Sequence, residues 1–300
     1  MVVRMRPFEP HPLLRNPHLQ TLASTFLVRH FPALPPSVTR DFEVEPGTRI
    51  RGRCHWQAAP REHPTLVLVH GLEGSADSGY MLGLAERAFK CGWNAVRLNQ
   101  RNCGGTESLT PTLYNSGLSS DFRAVLRELI EVDSLPEIFF AGYSMGGNLI
   151  LKMAGELSEN APCQLRAVAG VCPSIELGVC ADAVGLRQNF IYQEHFVRNL
   201  KKRMRRKSQM YPGIFDLREM NKVKTLREFD NVITARYCGF VDATDYYSKS
   251  SALRVAADIR IPALIVTAQD DPFVPCSIFS APALVNNPQI QLVAPKHGGH

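Results

Sequence analysis

The 300 residues are 45% hydrophobic, 21% charged and 8% aromatic, with 21 Gly and 21 Pro spread along the chain. This length suits one large domain or two small ones around a sizeable core, and the composition excludes a disordered chain, a collagen and a coiled coil. The net charge is +6, and the run KKRMRRK at Lys201–Lys207 alone carries six positive charges, so the basicity is one local patch rather than a nucleic-acid-binding face.

The longest apolar runs, Thr65–Val69 and Ile261–Ala268, are strand-sized, well short of the ~18 residues a membrane helix needs. The opening stretch MVVRMRPFEPHPLLRNPHLQ has early arginines but no apolar core and no small-residue cleavage site. A secretory signal is therefore not expected, and the cytoplasm is the expected compartment. Eight scattered cysteines form no C-x-x-C pair and no zinc-spaced cluster, which reads as reduced, packing thiols with no metal or cofactor.

In chain order, an N-terminal arm (1–39) precedes a segment, Asp41–Trp56, that suits an antiparallel hairpin at a sheet edge. From about 40 to 172, short β-branched runs alternate with helical periods, as in βαβ units of a parallel sheet. TLVLVHG (Thr65–Gly71) is a buried strand, Tyr80–Gly92 a helix stopped by Gly92, and Trp93–Gly105 a strand and loop. Asp121 is placed as the N-cap of a helix whose apolar positions are Phe122, Val125, Leu126, Leu129 and Ile130. Glu137–Leu157 reads as strand, tight turn and helix, and Leu165–Cys172 as another strand. The rhythm then breaks. From about 173 to 250 the sequence is helical, aromatic and basic, which predicts a helical cap inserted after the sixth core strand. The core resumes over 251–300 with the strand in IPALIVTAQDDP. The whole is one α/β domain with a mostly parallel sheet.

Gly142-Tyr143-Ser144-Met145-Gly146 fits G-x-S-x-G between an apolar strand and an amphipathic helix, where a serine hydroxyl can project above the sheet. A serine needs a base, and the base needs a carboxylate to orient it. Asp270 and Asp271 follow the strand in Leu264–Thr267, and His297 and His300 follow them, giving the order Ser, Asp, His. Asp271, directly before Pro272, is favoured over Asp270. His300, preceded by two glycines, is favoured over His297. Two backbone N–H groups would meet the developing oxyanion: that of Met145, and that of Leu72 in the HGLEG loop.

These residues resemble the α/β-hydrolase superfamily and, within it, the YheT-like family (the AB hydrolase 4 group) of serine esterases and lipases. The narrower resemblance rests on NPHLQTL (Asn16–Leu22), LVLVHGLEGS (Leu66–Ser75), the NQRNCGG loop, AGYSMGGN (Ala141–Asn148), DYYSKSSAL (Asp245–Leu253), AQDDPFVP and HGGH, which span nearly the whole chain. It implies a serine hydrolase of short- to medium-chain acyl or lipid esters, working through an acyl-enzyme with Ser144, Asp271 and His300. Two other readings stay open: an acyltransferase that resolves the acyl-enzyme with an alcohol, and a non-catalytic binding protein using the basic cap. Family members continue past the histidine with a further helix, so the natural chain is expected to extend beyond His300. NPHLQTL reads as an arm packed on the domain, and Asp245, Tyr246 and Tyr247 as packing between cap and core. Lys201–Lys207 reads as a solvated helix face, with weak contact to an anionic membrane surface as the alternative.

Overall fold

The computed structural model describes residues 8–27 and 29–300; part of the stretch on which the leader expectation rests, residues 1–7, lies outside them. The arm contributes helix α1 (Pro17–Phe26), whose first turn is capped by the Asn16 side chain accepting from the backbone N–H groups of His18 and Leu19. Such a cap is worth about 1 kcal/mol, and Pro17 at the first helical position loses no needed donor.

Strands β1 (Val38–Glu45) and β2 (Thr48–His55) form the antiparallel hairpin expected from Asp41–Trp56. Then come β3 (Thr65–Val69), α2 (Gly79–Lys90), β4 (Asn94–Leu98), α3 (Ser119–Glu131), β5 (Ile138–Tyr143), α4 (Met145–Leu157) and β6 (Leu165–Val171). One eight-stranded sheet results, ordered β1-β2-β4-β3-β5-β6-β7-β8, with β7 (Ala263–Val266) and β8 (Ile290–Val293) completing it. All pairs from β4 to β8 are parallel, and the hairpin joins antiparallel to β4. Central strands covered by helices on both faces are buried on both sides, which is why β3 reads as a nearly unbroken hydrophobic run, while β4 buries Asn94 and Arg97 only with hydrogen-bond partners. Strand β8 is absent from the sequence expectation: it is a four-residue edge strand with no buried residue, so the apolar signal is weak.

Between β6 and β7 the chain forms the helical cap: α5 (Leu177–Val184), α6 (Phe190–Met210), α7 (Leu226–Phe229), a π-helical turn (Asp230–Ala235), α8 (Arg236–Cys238) and α9 (Ala243–Ser250). A short helix, α10 (Pro282–Val285), precedes β8. Asn148, at the start of α4, ties the cap to the core. Its amide donates to Ser116 O at 3.1 Å and Ser250 O at 2.9 Å, and its Oδ1 accepts from Ala252 N–H at 2.8 Å.

Two expectations need correction. Asp121 is not the N-cap of α3; Leu118 holds that position, and Asp121 lies buried in the first turn. Its carboxylate instead meets the buried Arg101 guanidinium at 2.5 and 2.7 Å, where the positive end of the helix adds to the attraction. Nor is Lys201–Lys207 one solvated face. Val197, Leu200, Arg203, Met204 and Lys207 recur at helical spacing on the buried side of α6, leaving Lys202, Arg205 and Arg206 outward. The Lys207 ammonium donates to Asn102 Oδ1 at 2.5 Å, to Glu107 O at 2.7 Å and to Thr110 O. All eight cysteines are free thiols. No helix among the described residues is long and apolar enough to cross a membrane.

Candidate active site

Strand β5 ends and helix α4 begins on either side of Ser144, which is forced to φ 52°, ψ −118°. A non-glycine residue pays roughly 1–3 kcal/mol for such a backbone, so the surrounding structure must hold it. It does so through close approach: a Cβ on Gly142 would lie 2.3 Å from Gly146 O, and one on Gly146 would lie 2.5 Å from Val69 O and His70 O. Glycine at both places lets the turn press against β3. Ser144 N–H donates to Val171 O at 2.9 Å, pinning the turn to β6 as well.

The structure separates the two aspartates and the two histidines into distinct pairs. His300 Nδ1–H donates to Asp271 Oδ2 at 2.8 Å, leaving Nε2 with its lone pair. Asp271 Oδ1 in turn accepts the backbone N–H groups of Phe273 (2.8 Å) and Val274 (3.0 Å), and its side chain is fully buried. Asp270 binds His297 Nδ1 at 3.1 Å and the Gly299 N–H at 2.9 Å, so it braces the same loop from outside.

Ser144, Met145, Leu72 and His300 line one cavity of about 140 Å³, enclosed between the sheet and helices α5, α6 and α7. At roughly 10–15 Å³ per water, this holds several waters or a short acyl chain. Met145 is the first residue of α4, so its N–H has no acceptor within the helix. Leu72 belongs to a tight turn closed by Gly74 N–H to Gly71 O at 3.1 Å. The left-handed residue of that turn is Glu73 (φ 59°), not a glycine. His70, fully buried at the base of the turn, donates from Nδ1 to Gly71 O at 2.8 Å and accepts the Gln100 N–H at Nε2 at 3.1 Å. Burial pushes its imidazole down to about 4, which keeps it neutral.

Residues 64–300 match the family described as alpha/beta hydrolase fold. The chain is 32% identical over 288 residues to YheT of Escherichia coli, whose name describes it as an esterase; the match covers 95% of this chain and 83% of that one. It belongs to the alpha/beta hydrolase fold family, in the YheT-like group. The phospholipase ABHD3 of Mus musculus is 28% identical over 79% of this chain and 57% of its own. The monoacylglycerol lipase of Saccharomyces cerevisiae is 27% identical over 79% of this chain and 54% of its own. The chain thus spans little more than half the length of these two relatives. Among solved structures, the Pyrococcus furiosus esterase Pf2001 superposes with a TM-score of 0.59 at 15% identity, over 88% of this chain and 84% of that one, a likeness of fold.

In this alpha/beta hydrolase, several residues that bear on the site escape a reading of motifs alone. Thr21 of α1 accepts the His300 backbone N–H at its Oγ1 at 2.9 Å, while donating to Pro17 O at 2.7 Å. Gly299 sits at φ 58°, and a Cβ there would lie 2.6 Å from Pro17 O, so the arm and the histidine loop interlock. The ring of His18 stacks on Tyr192 of α6, Tyr192 meets Phe273 edge-on at 4.6 Å, and Phe273 lies 4.8 Å from the His300 ring. NPHLQTL is the signal that could have pointed here, but its contacts are with residues more than 170 positions away. Glu73 is a second omission: it accepts from Tyr114 OH at 2.6 Å and pairs with Arg203 Nε at 3.1 Å, tying the Leu72 turn to α6. Cys172 is a third. Its sulfur, an Asp271 oxygen and a His300 nitrogen lie within 4.8 Å of one another, a set of donors that could hold a soft divalent cation. Burial and the nearby Asp271 push the Cys172 thiol well up, which opposes the thiolate such binding requires.

Proposed function

We propose that Ser144 is the nucleophile, His300 the base and Asp271 the orienting acid of this carboxylic ester hydrolase, with the N–H groups of Met145 and Leu72 as oxyanion donors. Ser144 Oγ adds to the acyl carbon while His300 Nε2 takes its proton; the C–O bond to the alcohol then breaks, and the same proton passes to the departing alkoxide. Water repeats the sequence on the acyl-enzyme, releasing the acid and restoring Ser144. The observation that carries this reading is the His300–Asp271 hydrogen bond at 2.8 Å, with Asp271 held by two backbone N–H groups, at the cavity that also receives the strained Ser144. Asp271 orients the imidazole and stabilises the imidazolium, which works only if Asp271 itself cannot move. Each step uses residues of this chain, the substrate and water.

The substrate class is supported by the cavity wall, where Leu113, Leu177, Val184, Leu200, Phe229 and Ile233 offer apolar surface to an acyl chain. Relatives named esterase, phospholipase and monoacylglycerol lipase agree with short- to medium-chain acyl or lipid esters. The test is a fluorophosphonate probe with the adduct located by mass spectrometry, alongside a panel of esters graded by acyl length. Labelling at Ser144, absent in Ser144→Ala together with ester turnover, is the expected result. A folded wild-type protein that neither labels nor turns over any ester overturns the proposal. Adding an alcohol and measuring the ratio of acid to new ester separates hydrolysis from acyl transfer, and acid is expected to dominate.

A further inference from the structure

The cavity wall carries charge as well as apolar surface, and all but one of its charged groups are committed. Arg203 pairs with Glu73, Lys207 donates to three oxygens, and His300 pairs with Asp271. Asp230, in the π-helical turn, lines the same cavity yet forms no ion pair with any described residue. Its oxygens accept from two neutral hydroxyls, Thr234 Oγ1 at 2.7 Å and Tyr247 OH at 2.7 Å. The Arg227 guanidinium, whose charge acts on it, is bound to Asp182 Oδ1 at 2.7 Å and lies over the Tyr247 ring. A carboxylate offers about four acceptor positions, so roughly two remain.

Leaving such a group in an apolar enclosure is costly unless something meets it. Burial already pushes the Asp230 carboxyl up to about 6. Single π-helical turns inside helices recur at functional sites, since they re-aim a side chain that a regular helix would bury. Tyr247 belongs to the DYY segment, whose other tyrosine, Tyr246, accepts Ser116 N–H at 2.9 Å. Packing alone explains Tyr246; Tyr247 also fixes the rotamer of Asp230.

Building on the ester-hydrolase reading, we infer that Asp230, held by Thr234 and Tyr247, accepts a hydrogen bond from a hydroxyl of the substrate, so that the enzyme selects esters bearing a free hydroxyl. A neutral hydroxyl fits better than an ammonium group because the same cavity already contains the cations Arg203 and Lys207. The hydroxyl has two sources, the alcohol part of the ester, as in a glyceryl ester, or the acyl chain.

The experiment compares kcat/KM within matched pairs: glyceryl against methyl ester of one acyl chain, and methyl esters of a hydroxylated against a plain acyl chain. Wild type should prefer the hydroxylated member of one pair at least tenfold, and that pair identifies the source. In Asp230→Leu and in Asp230→Ala, which remove the acceptor and are each checked for folding by thermal melt, this ratio should fall to about one. A ratio near one in wild type overturns the inference. So does a ratio preserved in the variants while both rates fall together, the mark of a structural role. Should no ester be turned over, the reading of Ser144 fails separately, and binding then decides: calorimetry with 1-O-octylglycerol and octyl methyl ether should show at least tenfold tighter binding of the glycerol ether, abolished in Asp230→Leu. Equal binding of the two ethers overturns the inference.

Discussion

The backbone N–H of His300 donates to Thr21 Oγ1 at 2.9 Å, joining two residues 279 positions apart. Thr21 is buried and its hydroxyl proton goes to Pro17 O, so its lone pair is aimed at the histidine loop by the arm's own helix. Thr21→Val keeps the volume and removes the acceptor, leaving the His300 N–H without its partner. We expect kcat to fall about tenfold with KM little changed, because a small displacement of a positioned base costs rate more than binding. Thr21→Ser, which restores the hydroxyl, should recover most of the rate. A Val variant with wild-type kcat would show that the arm plays no part in positioning.

The two neighbouring aspartates differ in what they hold, which sets unequal consequences for their loss. Asp271→Asn substitutes an amide that can present an N–H where His300 Nδ1–H donates, favouring the wrong tautomer. A fall in kcat on the order of 10⁴ is expected, by analogy with the same change in a serine protease triad. Asp270→Asn weakens only the contacts to His297 and Gly299, and a loss below about tenfold is expected. Steady-state kinetics on one soluble ester distinguishes the two; comparable losses would mean that the pairing seen here does not govern the chemistry.

Much of this was legible beforehand, for reasons that can be given residue by residue. The strand–Ser144–helix turn is local: five consecutive residues between an apolar run and an amphipathic one specify it. Helix α2 and the cap insertion follow from periodicity in the same way. What escaped depends on contacts across long sequence separations. Asp121 sits where an N-cap residue could stand, and only the buried Arg101, 20 residues earlier, shows why it is drawn inward. For the adjacent Asp270 and Asp271 the position before Pro272 favoured Asp271, but the separate partners of the two carboxylates, His300 for Asp271 and His297 for Asp270, are visible only in the folded loop. Arg203 and Lys207 looked like members of a charged run until the 3.6-residue repeat turned them toward Glu73 and Asn102.

Glu73 and Arg203 form an ion pair 3.1 Å apart in which both side chains are about nine-tenths buried. Removing one partner strands the other: Arg203→Met should destabilise the fold by roughly 3–5 kcal/mol, since the Glu73 carboxylate then lacks its counter-charge. The double variant Glu73→Gln with Arg203→Met should regain a large part of that loss. Chemical denaturation of the two single variants and the double variant reads the coupling directly. Additive losses would mean that the pair is not a unit.

His70 makes stability depend on acid in a definite direction. Its imidazole is pushed from an ordinary 6.5 down to about 4 by burial, so between these values the unfolded chain binds a proton that the native state refuses. Stability is therefore full above about pH 6.5 and falls as the pH drops toward about 4, by on the order of 3 kcal/mol from this group. His55, also pushed down to about 4, acts in the same direction. Asp230, raised to about 6, acts oppositely, since its native carboxyl takes up a proton before the unfolded one does. The comparison that isolates His70 is wild type against His70→Gln, with unfolding free energy measured by denaturant at intervals from pH 7.5 to 4. The Gln variant should be less stable than wild type at pH 7.5, because a buried ring with two hydrogen bonds is lost, yet its decline toward pH 4 should be shallower. Parallel curves would mean that the His70 imidazole takes up its proton in the folded protein as readily as it does in the unfolded chain.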